Sequence, residues 1–241
     1  MREPVIHAET AAWALVHKPH DMPTAPLVAD EEGTLLSWFL NKVPDAAHVI
    51  GRKPIEHGLV HRLDTSTQGL VLIAKTTQAY IFFNELQQEG HISKRYYAFC
   101  AGKSNIITNM TVKLQDEFPK KITSKFRAFG PGRREVRPIF PQDRQFEDGG
   151  KMYTTTIENV VQNNVDLIPS TDFSCSLTRG YRHQVRVHLA SLGYPIIGDQ
   201  IYNAQTYSTP LQLYAFGISF IDPDSLLPVS FSLQQPNKMN Q

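Results

Sequence analysis

A chain of 241 residues and 27.2 kDa is long enough for one large domain or two small lobes that share a core. Its 41% hydrophobic content describes a folded chain, and no apolar run approaches the roughly 18 residues of a membrane span. The formal net charge of +1 gives no overall reason to expect a polyanionic partner, and two cysteines, Cys100 and Cys175, cannot build a disulfide framework or a cysteine-rich zinc site. The start, Met1-Arg2-Glu3-Pro4, is followed by no apolar stretch of the kind a signal peptide carries, so a cytoplasmic location is expected.

The core pattern begins near Trp13. Thr34 stands before Leu35, Leu36, Phe39, Leu40 and Val43, an apolar set at helical spacing behind a capping hydroxyl. Gly69 to Lys75 is a dense apolar run that reads as a buried strand. Thr76 or Thr77 then opens a helix with Ala79, Phe82, Phe83 and Leu86 on one face, and Gly90 ends it. Lys94 to Ala101 is strand-like, and Cys100 within it is expected to be a buried thiol, like Cys175 further on.

The next fifty residues carry a basic patch. From Lys113 to Arg144, nine basic residues face four acids, so this stretch carries +5 and the remainder −4. Pro119, Pro131, Pro138 and Pro141 are expected to break any long element here. Such a local patch can hold phosphates although the whole chain is near neutral, or it can simply be a solvated loop. Strands are expected over Lys151 to Val161 and Asp172 to Thr178. In the segment Gln184 to Leu192, Val185, Leu189 and Leu192 define a helix that Gly193 and Pro195 stop. Leu211 to Ile221 is apolar on both faces, as a central strand would be. Strands and helices interleave without regular alternation, which indicates an α+β fold.

The chemistry concentrates in His57 to Lys75, where His61-Arg62-Leu63-Asp64 stands on a short loop closed by Gly69 and leading into the apolar strand. A polar loop anchored to a rigid strand is a common way of holding a catalytic group still. The same spacing also suits a turn-capping aspartate paired with its neighbouring arginine. His183 and His188 read as hydrogen-bonded structural side chains, because no third ligand stands at metal spacing.

His61-Arg62-Leu63-Asp64-Thr65-Ser66-Thr67-Gln68-Gly69 resembles the first motif of the RluA family of pseudouridine synthases, H-R-L-D-x-x-T-S-G, with Gln68 in place of Ser. Lys94-Arg95-Tyr96-Tyr97-Ala98 resembles the second, a Lys-x-Tyr opening a strand. Gly180-Tyr181-Arg182-His183-Gln184-Val185-Arg186, continued through Gly198-Asp199, resembles the third, with Tyr181-Arg182 where Arg-Thr is usual. Lys18-Pro19 through Pro26 resembles the early K-P loop, with Asp21 in the place of Gly. Three motifs in order are a specific signal.

The resemblance implies a single catalytic domain over residues 1–241, with its core at about 13–222. Its fold would be a mixed, mainly antiparallel central sheet with flanking helices and a central RNA-binding cleft. An appended S4 domain is not expected. The implied activity is isomerisation of uridine to pseudouridine in ribosomal or transfer RNA by base flipping, by a monomer without cofactor or metal. Asp64 would be the catalytic carboxylate. Arg186 would keep Asp64 charged, and Tyr96 would stack on the uracil. Arg62 would replace the flipped base or hold its phosphate, with His61 beside it. Lys120, Lys121, Lys125, Arg127, Arg133 and Arg134 would contact RNA backbone. A non-catalytic RNA-binding protein and an aspartate-dependent glycosidic-bond hydrolase are the alternatives on the same residues.

Overall fold

The computed structural model describes residues 3–101, 117–147, 150–165, 168–205 and 208–234. Lys113 and Asp116, at the start of the basic stretch, lie outside the described residues. In chain order the elements are β1 (Val5–Glu9), β2 (Trp13–Lys18), α1 (Leu35–Lys42), β3 (Gln68–Ala74) and α2 (Thr77–Glu89). They continue with β4 (Ser93–Ala101), β5 (Lys120–Phe129), β6 (Glu135–Ile139), β7 (Tyr153–Val165), β8 (Ile168–Leu177), α3 (Gln184–Ser191), β9 (Leu213–Ile221) and β10 (Pro228–Ser232). The fold is α+β. The described chain forms two compact units, residues 1–94 with 214–234 and residues 95–213.

In the first unit β2 pairs antiparallel with β1 and β3, β3 runs parallel to β9, and β10 pairs antiparallel with β9. The apolar run after Asp64 is therefore an inner strand. Leu70, Leu72 and Ala74 point from it into a core with Trp13, Leu15, Phe83, Ile218 and Phe220. The helix α2 covers that core with Ala79, Phe83 and Leu86. The Thr76 hydroxyl caps its N-terminus, and Gly90 ends it in the left-handed conformation that lacks a Cβ penalty. Trp13 packs edge-on against Phe220 with centroids 5.2 Å apart, and its Nε1 donates to Asp222 at 2.7 Å. Burying an indole is favourable only when that donor is satisfied. Gly69 has φ +133°, and a Cβ there would lie 2.2 Å from the Ala215 carbonyl oxygen, so only glycine lets β3 and β9 approach at this point.

In the second unit β5 pairs antiparallel with β6 and β7, and β7 with β8. The helix α3 packs on β6 and β7. Ile122, Val136, Ile157, Phe173, Cys175, Val185 and Leu189 are buried here. Cys100 and Cys175 are buried thiols, and burial pushes both toward the protonated form.

The basic stretch departs from expectation. The four prolines do not prevent a long element, because Pro119 and Pro131 flank β5 and leave room for ten residues between them. Pro138 lies inside β6, opposite Phe126. The sheet order ends at β6, and an edge strand tolerates a residue that cannot donate to the ladder.

Candidate active site

Asp64 is half-buried on the turn between Val60 and β3. The turn is fastened through its backbone by side chains of the same unit. Thr24, 3% exposed, does so twice. Its hydroxyl donates to the Leu63 carbonyl at 2.7 Å and accepts from the Leu63 N–H at 3.2 Å. Lys18 is fully buried and donates to the carbonyls of Pro19, Met22 and Thr65 at 2.9, 2.7 and 3.0 Å. The Thr67 N–H donates to the Asp64 carbonyl at 3.0 Å. Upstream, Gln87 donates to the Val60 carbonyl, and the Leu72 N–H donates to His61 Nε2 at 3.2 Å. The residues on either side of Asp64 are thus tied to the first unit's interior.

Two buried lysines set the electrostatics. Burial lowers the Lys18 pKa to about 8, against the attraction of Asp64 and Asp21, which favours its charge. That attraction is mutual, so a fixed ammonium stands within electrostatic reach of the Asp64 carboxylate. Burial likewise lowers Lys94 to about 8; its ammonium donates to Gln87 Oε1 at 3.3 Å. Burial, with the Lys94 charge in addition, holds His61 neutral. With Nε2 accepting from Leu72, the proton of that neutral ring belongs on Nδ1. In the K-P loop Asp21 takes φ +56°, in the left-handed region that glycine favours and aspartate tolerates. Aspartate is thus one of the few residues besides glycine that suit this backbone.

Arg62 is exposed and pairs with Glu56 at 3.1 Å; Lys53 shares the same carboxylate oxygen. Tyr96 lies buried on β4. Arg186 is buried on α3. It is 5% exposed and grips Asp199 with two hydrogen bonds of 2.8 Å. Asp199 Oδ1 also accepts from the N–H groups of Ile201 and Tyr202 at 2.9 and 3.1 Å. Burial opposes the Asp199 charge, but the Arg186 contacts and those N–H groups outweigh it and hold the carboxyl below its usual range. The departures at Tyr181 and Arg182 now have contacts. Tyr181 stacks on Phe126 with centroids 5.0 Å apart and planes 9° apart, and Arg182 donates to the carbonyls of Arg133 and Glu135. His183 bonds the Tyr202 hydroxyl, and His188 lies between Ser124 and Thr155, pushed down to about 3 by burial.

Of the remaining basic residues, Lys120 is half-buried, while Lys121 and Arg127 are exposed on β5. Lys125 turns its ammonium onto the Phe146 carbonyl and ring, and Arg133 and Arg134 sit in the turn between β5 and β6. Among the described residues no group of three or more His, Cys, Asp and Glu is placed to hold a metal, and no helix is long and apolar enough to cross a membrane.

Residues 12–191 match the family described as RNA pseudouridylate synthase. The chain belongs to that family. It is 27% identical over 197 residues to a ribosomal large subunit pseudouridine synthase D of Pseudomonas aeruginosa, covering 82% of this chain and 52% of the relative. With the protein of that name from Zymomonas mobilis it shares 27% over 237 residues, covering 93% and 67%. An uncharacterized RNA pseudouridine synthase of Chloroflexus aurantiacus is 28% identical over 212 residues, covering 87% and 58%. The chain thus spans between about half and two thirds of the length of these relatives. In fold it is similar to human RNA pseudouridylate synthase domain containing 1, with TM-score 0.71 and 20% identity over 97% of this chain and 84% of that one.

Two of these contacts yield predictions. Thr24→Val leaves both polar groups of Leu63 buried without the hydroxyl and should cost about 2–3 kcal/mol of unfolding free energy, while Thr24→Ser restores most of it. Denaturant titration checks this, and a valine variant as stable as wild type would contradict it. For Lys94, the folded pKa near 8 lies below the unfolded value of 10.5. The cost of its buried charge is therefore fully present below pH 8 and is relieved as pH rises toward 10.5. Lys94→Met should be more stable than wild type by about 2 kcal/mol at pH 7, with the gap closing between pH 8 and 10.5. A gap independent of pH would contradict it.

Proposed function

We propose that this chain is an RNA pseudouridine synthase, an isomerase acting on specific uridines of structured RNA, ribosomal or transfer, in the cytoplasm. What carries the reading is that the family match includes the His61-Arg62-Leu63-Asp64 loop intact, with its backbone fastened on both sides of Asp64 by buried donors.

The reaction breaks the C1′–N1 bond of uridine, turns the uracil, joins C1′ to C5, and returns the C5 proton to the base. Atoms and electrons balance within one nucleotide, so it consumes no redox partner or phosphoryl donor. It needs an ionised carboxylate held close to the sugar or base, and Asp64 supplies that group. Lys18 provides a fixed positive charge within electrostatic reach of that carboxylate. We assign Tyr96 to stacking on the uracil and Arg186 to keeping Asp64 charged and oriented, both on the strength of the family motifs. The Asp199 grip fixes the guanidinium of Arg186 in a single orientation.

A base inside a helix is out of reach and has to be flipped, at a cost of a few kcal/mol. Arg62 answers that cost by exchanging the half-buried Glu56 carboxylate for the vacated stack or the flipped nucleotide's phosphate. His61, neutral and tied to β3, contributes shape and not charge. Lys120, Lys121, Lys125, Arg127, Arg133 and Arg134 are the pool of cations from which RNA backbone contacts are drawn. The protein acts as a monomer and the whole chain as one catalytic domain.

Purified wild-type protein, incubated with ribosomal and transfer RNA transcripts, should form pseudouridine at discrete sites and release no free uracil. Asp64→Asn should reduce the rate at least a thousandfold while binding the same RNA. Conversion by Asp64→Asn at the wild-type rate would sink the assignment, and uracil release without isomerisation would turn the reading into a hydrolase. Arg186→Lys should lower turnover far more than RNA affinity, and equal losses in both would contradict its role.

A further inference from the structure

We infer that the solvent-facing side of the β5–β6 hairpin is a dedicated RNA-contact surface, in which Lys121, Arg127 and Arg137 hold phosphates and Phe129 with Arg137 presents a stacking platform to an unpaired base. The inference rests on the RNA reading above and selects, among the chain's cations, those that do the holding.

Strand alternation divides β5 into two faces. Ile122, Ser124 and Phe126 point inward. Ile122 is opposite Thr155, Ser124 reaches His188, and Phe126 stacks on Tyr181. Lys121, Thr123, Lys125, Arg127 and Phe129 occupy the other side. Residues directly opposite in an antiparallel pair share a face, and Arg127 stands opposite Arg137, both exposed. Like charges in that position destabilise a sheet, so the pairing is a cost that the fold carries. The Arg137 guanidinium lies 3.3 Å from the Phe129 ring centroid and that of Arg127 6.0 Å away. An arginine laid on an aromatic keeps its donors at the rim, free for phosphate, and its outer plane free for a base.

The surroundings are polar. Thr123 and Thr154 are joined by a 2.9 Å hydroxyl contact, and Thr156 stands opposite Lys121. Glu135 stands opposite Phe129, and Glu158 of β7 is hydrogen-bonded by Ser176. The other cations of the stretch have different occupations. Lys125 is folded onto Phe146, and Arg133 lies in the turn beyond the strand. Arg134 lies in the turn and not on the strand face.

The test uses the full chain and a fluorescently labelled stem–loop RNA with a single-stranded flank, with affinity measured across a potassium chloride series. The triple variant Lys121→Gln, Arg127→Gln, Arg137→Gln should flatten the slope of log affinity against log salt by about 2–3, close to one per phosphate contact. Phe129→Leu should weaken binding several-fold without changing the slope, and Arg144→Gln, at an exposed arginine off the hairpin, should change neither. Arg127→Gln alone should also raise the melting temperature, a sign that the arginine pair is kept for a ligand. An unchanged slope in the triple variant, or an equal loss from Arg144→Gln, overturns the inference. If the slope falls as expected while Asp64→Asn isomerises normally, the surface stands and the catalytic assignment fails. If Asp64→Asn is inactive and the slope is unchanged, only the surface fails.

Discussion

A carboxylate with the role proposed for Asp64 needs its position set by groups other than itself, and here the setting is done through the backbone. Thr24 binds both polar groups of Leu63, and Lys18 binds the carbonyl of Thr65, so the residues before and after Asp64 are held by side chains that solvent does not reach. The pieces come from distant parts of the first unit: the K-P loop, the strand β3 and the helix α2. Gly69 then lets β3 lie against β9, which makes the strand behind the aspartate an inner one. Removing any of these would leave Asp64 in the sequence and loosen it in space.

That arrangement has an electrostatic cost. Two lysines are buried in the first unit, and in both burial depresses the pKa to about 8. A buried ammonium is tolerated when carbonyls surround it, and Lys18 has three. In the second unit the same problem is met differently, by the two-pronged contact of Arg186 with Asp199 and by two N–H groups on that carboxylate. Such a pair contributes less to stability than to orientation, since desolvation offsets most of its attraction. That fixed orientation suits the role proposed for Arg186.

Local features were the most legible from the residues. The Thr34 and Thr76 caps, the Gly90 stop and the apolar faces of α1 and α2 follow from chemistry within a few positions, and the helices fall where these signals put them. The aspartate loop and the family motifs were also readable in order along the chain. Features set by distant residues were not. The burial of Lys18 depends on carbonyls up to Thr65, and the burial of Arg186 on a partner thirteen residues later. The strand β5 was hidden by prolines whose effect depends on whether they fall at a strand's ends, within it, or on an edge. The return of residues 214–234 to the N-terminal unit is a matter of sheet pairing, which no periodicity announces.

The most direct test of a catalytic Asp64 is a transcriptome-wide pseudouridine map in cells deleted for this chain and complemented with either the wild-type or the Asp64→Asn sequence, at matched protein levels. The account predicts a small set of ribosomal or transfer RNA uridines that are modified with the first and bare with the second. Identical maps from the two strains would contradict it.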